Sequence, residues 1–202
     1  MVWPLLPRDD TPLLRGPHVL LRGPRQRDYV YWRDLRRDSR EFLKPFEPRW
    51  SELDLTRRVF AARLRRGRQE AAHGTDFNFF VFLLEGRKEI LVGGLTLSNI
   101  RRRAAQHVNL GYWMGEAHAG KGLMTEAVGT VLPFVFNTLG LHRIHAAFLP
   151  DNAASRRVLE KNGFREEGYA ESYLQIDGRW ADHVLFGLTR ERHDQLIRRP
   201  QR

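Results

Sequence analysis

Apolar residues recur along the chain with two different periods. Tyr29, Trp32 and Leu35 lie three residues apart, which predicts a helix over Asp28–Arg37 with one buried face. A second helix is expected over Asp54–Ala72. Leu55, Val59, Ala62 and Leu64 form its apolar side, and Arg57, Arg58, Arg63, Arg65, Arg66 and Arg68 the rest. From Phe77 the period shortens. Phe77–Glu85 and Ile90–Asn99 read as strands around the turn Gly86-Arg87-Lys88, and Ala105–Met114 as a third antiparallel strand. Helical spacing returns over Gly122–Leu139, where Met124, Ala127, Val128, Val131, Leu132, Val135 and Phe136 make a wide buried face. Pro133 inside it predicts a kink or a late break. Arg143–Leu149 reads as a strand and Asn152–Lys161 as a helix that stops at Asn162-Gly163. Two strands, Phe164–Ile176 and Arg179–Leu188, flank the hairpin turn Asp177-Gly178. Between the first two helices, Pro45 and Pro48 predict an irregular loop with large groups to bury: Phe42, Leu43, Phe46 and Trp50. With a short strand at Val19–Arg22, the order is β-α-α-β-β-β-α-β-α-β-β. That order predicts an α+β fold, a mixed and mostly antiparallel sheet flanked by helices in a single domain.

Composition narrows the chemistry. The 202 residues suffice for one domain with a sizeable core, and 42% hydrophobic content fits a folded protein. There is no cysteine, hence no disulfide, no thiolate nucleophile and no Cys-ligated metal. His107, His118, His142, His145 and His183 show no metal-like pairing, so no metal is expected. No apolar run approaches the roughly 20 residues of a membrane span. Pro4, Pro7, Asp9, Asp10, Pro12 and Pro17 do not read as a signal peptide, so a cytoplasmic protein is expected.

The net charge is +10 and unevenly placed. Residues 1–110 hold 22 Lys/Arg against 13 Asp/Glu (+9); residues 111–202 hold 12 against 11 (+1). Arginine supplies 30 of the 34 cations. Arg pairs bidentately with phosphate, so contact with a ribosome or rRNA fits the basic half. Codon preference and solvated helix faces explain the same excess.

Two stretches carry candidate chemistry. Over Leu110–Ala127, which includes Gly115-Glu116-Ala117-His118-Ala119-Gly120-Lys121-Gly122-Leu123-Met124-Thr125, a strand feeds a glycine-containing loop that opens a long helix. Unpaired amides and partial positive charge at a helix N-terminus suit a phosphate, and glycines let the backbone approach it. The spacing is neither a P-loop nor a dinucleotide fingerprint. In Asp151-Asn152-Ala153-Ala154-Ser155, Asp151 or Asn152 is an N-cap and Ser155 could lie in the first helical turn.

Together these stretches resemble the GCN5-related N-acetyltransferase (GNAT) superfamily over about residues 18–190, and the strand order matches it too. Phe42-Leu43-Lys44-Pro45-Phe46-Glu47-Pro48, Gly120-Lys121-Gly122-Leu123-Met124 and the block Gly168–Leu185, with Tyr169, Tyr173, Trp180 and Asp182, extend the similarity to the RimJ/RimL-type ribosomal-protein alanine N-acetyltransferases. The resemblance implies a GNAT domain over 18–190, and the residues themselves read as an irregular segment 1–17 before it and a basic tail 191–202 with a possible last helix after it. It implies acetyl-CoA as cosubstrate, its pyrophosphate held by Gly120, Lys121, Gly122, Leu123, Met124 and Thr125. The strand around Tyr112, Trp113 and Met114 would splay from its neighbour and pair with the pantetheine, with a backbone N–H for the oxyanion. Asn152 would contact the pantetheine arm, and Ser155 would protonate the leaving thiolate, directly or through water.

The sequence departs from related enzymes in three places. Leu159 stands where many N-terminal acetyltransferases carry a tyrosine acid, Ala117 where many carry Gln or Arg, and Leu174 where RimL-type enzymes carry a glutamate base. Glu47, in the loop expected over the acceptor, is the preferred base over Glu116 and Glu171. Water could serve instead, because an α-amine with a pKa of about 7.7–8.0 is partly neutral near pH 7. Phe46, Glu47, Trp50, Tyr169 and Tyr173 are candidate acceptor contacts. The resemblance implies acetyl transfer to the N-terminal amine of a protein, by direct attack, with a ribosomal protein beginning with Ala or Ser as acceptor. A small-molecule amine or aminoglycoside acetyltransferase, and a ribosome- or RNA-binding assembly factor on the same fold, are the alternatives.

Overall fold

The computed structural model describes residues 11–198. Residues 1–10 and 199–202, parts of the expected N-terminal segment and basic tail, lie outside them. Eight strands form one sheet: β1 (Leu14–Arg15), β2 (Val19–Arg22), β3 (Phe77–Glu85), β4 (Lys88–Arg101), β5 (His107–Met114), β6 (Arg143–Phe148), β7 (Arg165–Ile176) and β8 (Arg179–Thr189). Their spatial order is β1-β2-β3-β4-β5-β6-β8-β7. Every neighbouring pair is antiparallel except β5–β6, which is parallel. The fold is therefore the α+β layout the strand order predicted.

Six α-helices complete it: α1 (Tyr29–Asp38), α2 (Arg40–Leu43), α3 (Arg57–His73), α4 (Leu123–Pro133), α5 (Ala153–Lys161) and α6 (Arg190–Arg198). All seven residues expected on the buried face of 122–139 are buried. They pack with Phe77, Phe79, Val108, Leu110, Ile144 and Ala146 in the main core. A second cluster on the opposite sheet face joins Tyr29 and Trp32 of α1 with Phe60 and Leu64 of α3 and with Phe80, Phe82 and Leu91. Among the described residues no helix is long and apolar enough to cross a membrane.

The structure corrects several expectations. The stretch 42–50 is not wholly irregular. It begins inside α2 and continues as a 3-10 turn, Lys44–Phe46, with Pro45 in the first turn, where a missing N–H costs nothing. Leu14 and Arg15, expected to be irregular, pair with Leu21 and Leu20 as a two-residue edge strand. Ala62 is exposed, because α3 turns Phe60 and Leu64, four residues apart, to the sheet. The strand expected over Ala105–Met114 begins at His107, and it is parallel to β6 on its other side. After Pro133 the helix widens into a π-turn over Phe134–Thr138, the form the anticipated break takes.

Gly93 lets β4 and β5 approach closely. A Cβ built there falls 2.4 Å from the Trp113 backbone oxygen, which no rotamer change relieves. Gly93→Ala should cost about 1–3 kcal/mol, the usual range for overpacking. Urea unfolding would show a lower midpoint with an unchanged slope.

Candidate active site

The site is built where the parallel pair comes apart. β5 and β6 are in register from His107↔Arg143 to Leu110↔Ala146, and there the pairing stops. β5 nevertheless continues to Met114 and β6 to Phe148, so the sheet opens between them. Gly115 N–H donates to the Val92 carbonyl of β4 at 2.8 Å. Strand alternation then turns the backbone groups of Tyr112 and Met114 away from β4, into the opening. The resemblance implies pantetheine pairing for Trp113 as well, but its backbone faces β4. Its side chain lies in the second cluster instead.

Directly after β5, a 3-10 turn at Glu116–His118 leads into the glycine loop. Gly120 and Gly122 both have left-handed backbones, φ 75° and 78°, and a Cβ at either would meet nothing within 4 Å. Glycine is thus required by conformation and not by crowding, and the loop surface is open to an anion. Gly122 caps α4 without a side-chain bond, and the first helical bond is Glu126 N–H to the Gly122 carbonyl at 3.0 Å. The amides of Leu123, Met124 and Thr125 precede it and aim out of the helix start. Lys121 folds back, Nζ donating to the Ala117 carbonyl at 2.8 Å, so its charge sits over the loop.

Asn152 caps α5, its Oδ1 accepting from Ser155 N–H at 2.9 Å. Tyr112 Oη donates to the Ser155 carbonyl at 3.3 Å and ties β5 to this helix beside the opening. Burial pushes the Tyr112 hydroxyl pKa up to about 12, so it stays protonated and is a poor acid. The Ser155 hydroxyl takes no protein partner among the described residues.

On the other side, the expected acceptor residues separate into three places. Arg36 of α1 holds both Glu47 oxygens, at 2.7 and 2.6 Å, with side-chain exposures of only 11% and 17%. Trp50 Nε1 donates to the same carboxylate at 3.2 Å. The guanidinium lies 4.9 Å from both the Trp50 and Trp113 ring centres. A proton accepted by Glu47 would have to displace one of these bonds, so the geometry fits a structural anchor better than a base. Phe46 and Tyr169 instead line a groove of about 570 Å³ with Asp151, Trp180 and Asp182, at the end of β6. Tyr169 Oη donates to Asp182 at 2.7 Å. Tyr173 packs against the buried ring of His183, 5.7 Å between centres. Sequence reasoning missed Arg36. It included Trp180 and Asp182 in the block 168–185 without giving either a role at the site. Among the described residues no group of three or more His, Cys, Asp or Glu is placed to hold a metal.

Comparison with known proteins bears on this geometry. Residues 18–165 match the model of the Acetyltransferase (GNAT) domain family. The chain is 35% identical over 184 residues to the ribosomal protein uS5-alanine N-acetyltransferase of Escherichia coli, covering 90% of this chain and 94% of that one. It superimposes on Mycobacterium smegmatis RimJ, solved in complex with CoA-disulfide, with a TM-score of 0.82 at 33% identity, covering 94% of each chain. The ribosomal-protein-S5-alanine acetyltransferase of Vibrio fischeri gives 0.80 at 31%, covering 88% of this chain and 96% of that one. An opened parallel pair beside a glycine-bracketed helix start, in a chain so matched across its length, makes this protein a member of the GNAT acetyltransferase family.

Proposed function

We propose that this chain moves the acetyl group of acetyl-CoA to the N-terminal α-amine of a ribosomal protein beginning with Ala or Ser, by direct attack in a ternary complex. One observation carries the reading: the β5–β6 opening lies directly beside the open glycine loop, a slot that ends at helix-start amides able to hold a phosphate. The activities named for the E. coli and V. fischeri relatives, and the complex of M. smegmatis RimJ with CoA-disulfide, point the same way.

When bound, acetyl-CoA supplies an activated thioester. The amides of Gly120–Thr125, with the charge of Lys121, would hold the pyrophosphate at the start of α4. Backbone groups of Tyr112 and Met114 would bind the pantetheine and donate to the thioester oxygen. Asn152, whose Oδ1 is committed to the helix cap, keeps its amide N–H groups for the pantetheine arm. Ser155 would give a proton to the departing sulfur, directly or through water. With no cysteine to carry the acetyl group, direct attack is the simplest route.

The test is turnover on short peptides, followed by thiol release and by the mass and position of the acetyl group. Peptides with free N-terminal Ala or Ser should be modified at the α-amine. Modification only of internal lysines, or none, would sink the reading.

A further inference from the structure

The proposed reaction needs a proton acceptor, and the two sides of the opening differ in what they offer. Val108, Leu110, Ile144, Ala146 and Phe148 all point into the main core with α4. Alternation therefore places His107, Asn109 and Gly111 of β5, and Arg143, His145 and Ala147 of β6, on the opposite face. With the phosphates at the α4 side, as proposed above, this opposite face is the one left open to the amine. Its floor at the mouth is Gly111, exposed and with nothing within 4 Å of a built Cβ, and Ala147. Neither can take a proton.

Below the mouth, two residues back along β6, or about 6.5 Å, stands His145. It is half-buried and packed edge-on against His107, 4.8 Å between ring centres. Resting on the acetyl-transfer reading above, we propose that His145 is the proton acceptor for the incoming amine, acting through water over the Gly111–Ala147 floor. The amine arrives as an ammonium. One proton passes through water to His145 and on to solvent, and the freed lone pair forms the C–N bond as the C–S bond breaks. The nitrogen's second proton leaves by the same path, and the sulfur takes one from Ser155 or water. The net result is one amide, one thiol and one proton released.

The charged groups around His145 fit this task. His107 faces it from β5, Arg143 shares its strand, and Glu167 of β7 pairs with Arg143. One strand further out stand Arg101, level with His107, and Arg165, level with Gly187, the β8 partner of His145. Burial lowers the His145 pKa below its ordinary value, Arg143 and His107 lower it further, and Glu167 opposes them. The imidazole is therefore neutral and able to accept a proton at pH 7. Its activity is lost as the pH falls through that lowered pKa.

The experiment compares wild type with His145→Gln at saturating acetyl-CoA and acceptor peptide, measuring kcat from pH 5 to 9. Equilibrium CoA binding and thermal melting run alongside. The expected result is a kcat reduced about 100-fold at pH 7, at the lower end for a positioned base. The acid limb of the wild-type profile should vanish in the variant, CoA affinity should be unchanged, and added imidazole should partly rescue His145→Ala. A retained rate overturns the proposal. So does a uniform loss at every pH with the limb intact, which is the mark of a structural role. If only an amine other than a protein N-terminus is turned over, the same profile is read on that amine. The N-terminal reading then fails while His145 is still judged. If no amine is turned over, both fail.

Discussion

Gly120→Glu should abolish measurable CoA binding. Two effects combine. The backbone at Gly120 is left-handed, φ 75°, where a side chain costs about 1–2 kcal/mol. The new carboxylate would also stand at the positive end of α4, on the surface proposed for the pyrophosphate, and would repel it. A hundredfold loss of affinity corresponds to about 2.7 kcal/mol, and the two effects together should exceed that. Gly120→Ala separates them. Its methyl meets nothing within 4 Å, so it carries the backbone strain alone and should weaken CoA by no more than about thirtyfold. Calorimetric titration with CoA reads both variants, and thermal melts confirm that they fold. Unchanged affinity in Gly120→Glu would place the phosphates elsewhere.

Arg36→Met should be the most destabilising change at the acceptor side. It strips both strong hydrogen bonds from a carboxylate that is mostly out of water, leaving Glu47 with only the Trp50 indole. Breaking one partner of a buried pair typically costs about 3–5 kcal/mol. The guanidinium also fills the space between Trp50 and Trp113, so its loss loosens the tryptophan on the strand that borders the opening. Chemical denaturation of Arg36→Met, Glu47→Leu and the double variant closes a cycle. The double variant should recover much of the loss, because no unpaired charge then remains. A cost below 1 kcal/mol for Arg36→Met would mean the pair is effectively solvated.

The sequence made some parts of this molecule plain and hid others for physical reasons. The buried face of 122–139 was legible because every fourth or third residue there is apolar, and helix geometry gathers those positions onto one side. The glycine loop was legible because strand, loop and helix follow one another without interruption. Arg36 was not. It sits four residues after Trp32 on the inward face of α1, but an arginine at an inward position reads as solvated until its partner is known. That partner, Glu47, is eleven residues away across a turn. The α2 turn was hidden by Pro45, which reads as a breaker when its position within a helix start is unknown. Alternation in β5 and β6 told which residues share a face. It could not tell that pairing ends at Leu110↔Ala146, because that depends on how two strands far apart in sequence diverge. For the same reason His145 read only as a histidine without a metal partner.

Because β5 and β6 share just four residue pairs, the sheet is joined across its middle by a short seam, with five strands on one side and three on the other. A ligand lodged in the opening adds rungs that only the folded chain can accept. Occupancy and folding stability are then thermodynamically linked, the folded state gaining as free ligand rises above its dissociation constant. Starved of that ligand, the chain would first come open along the seam, where unfolding and proteolysis find their entry. The same gap would thus let the protein's lifetime follow the supply of its own cosubstrate.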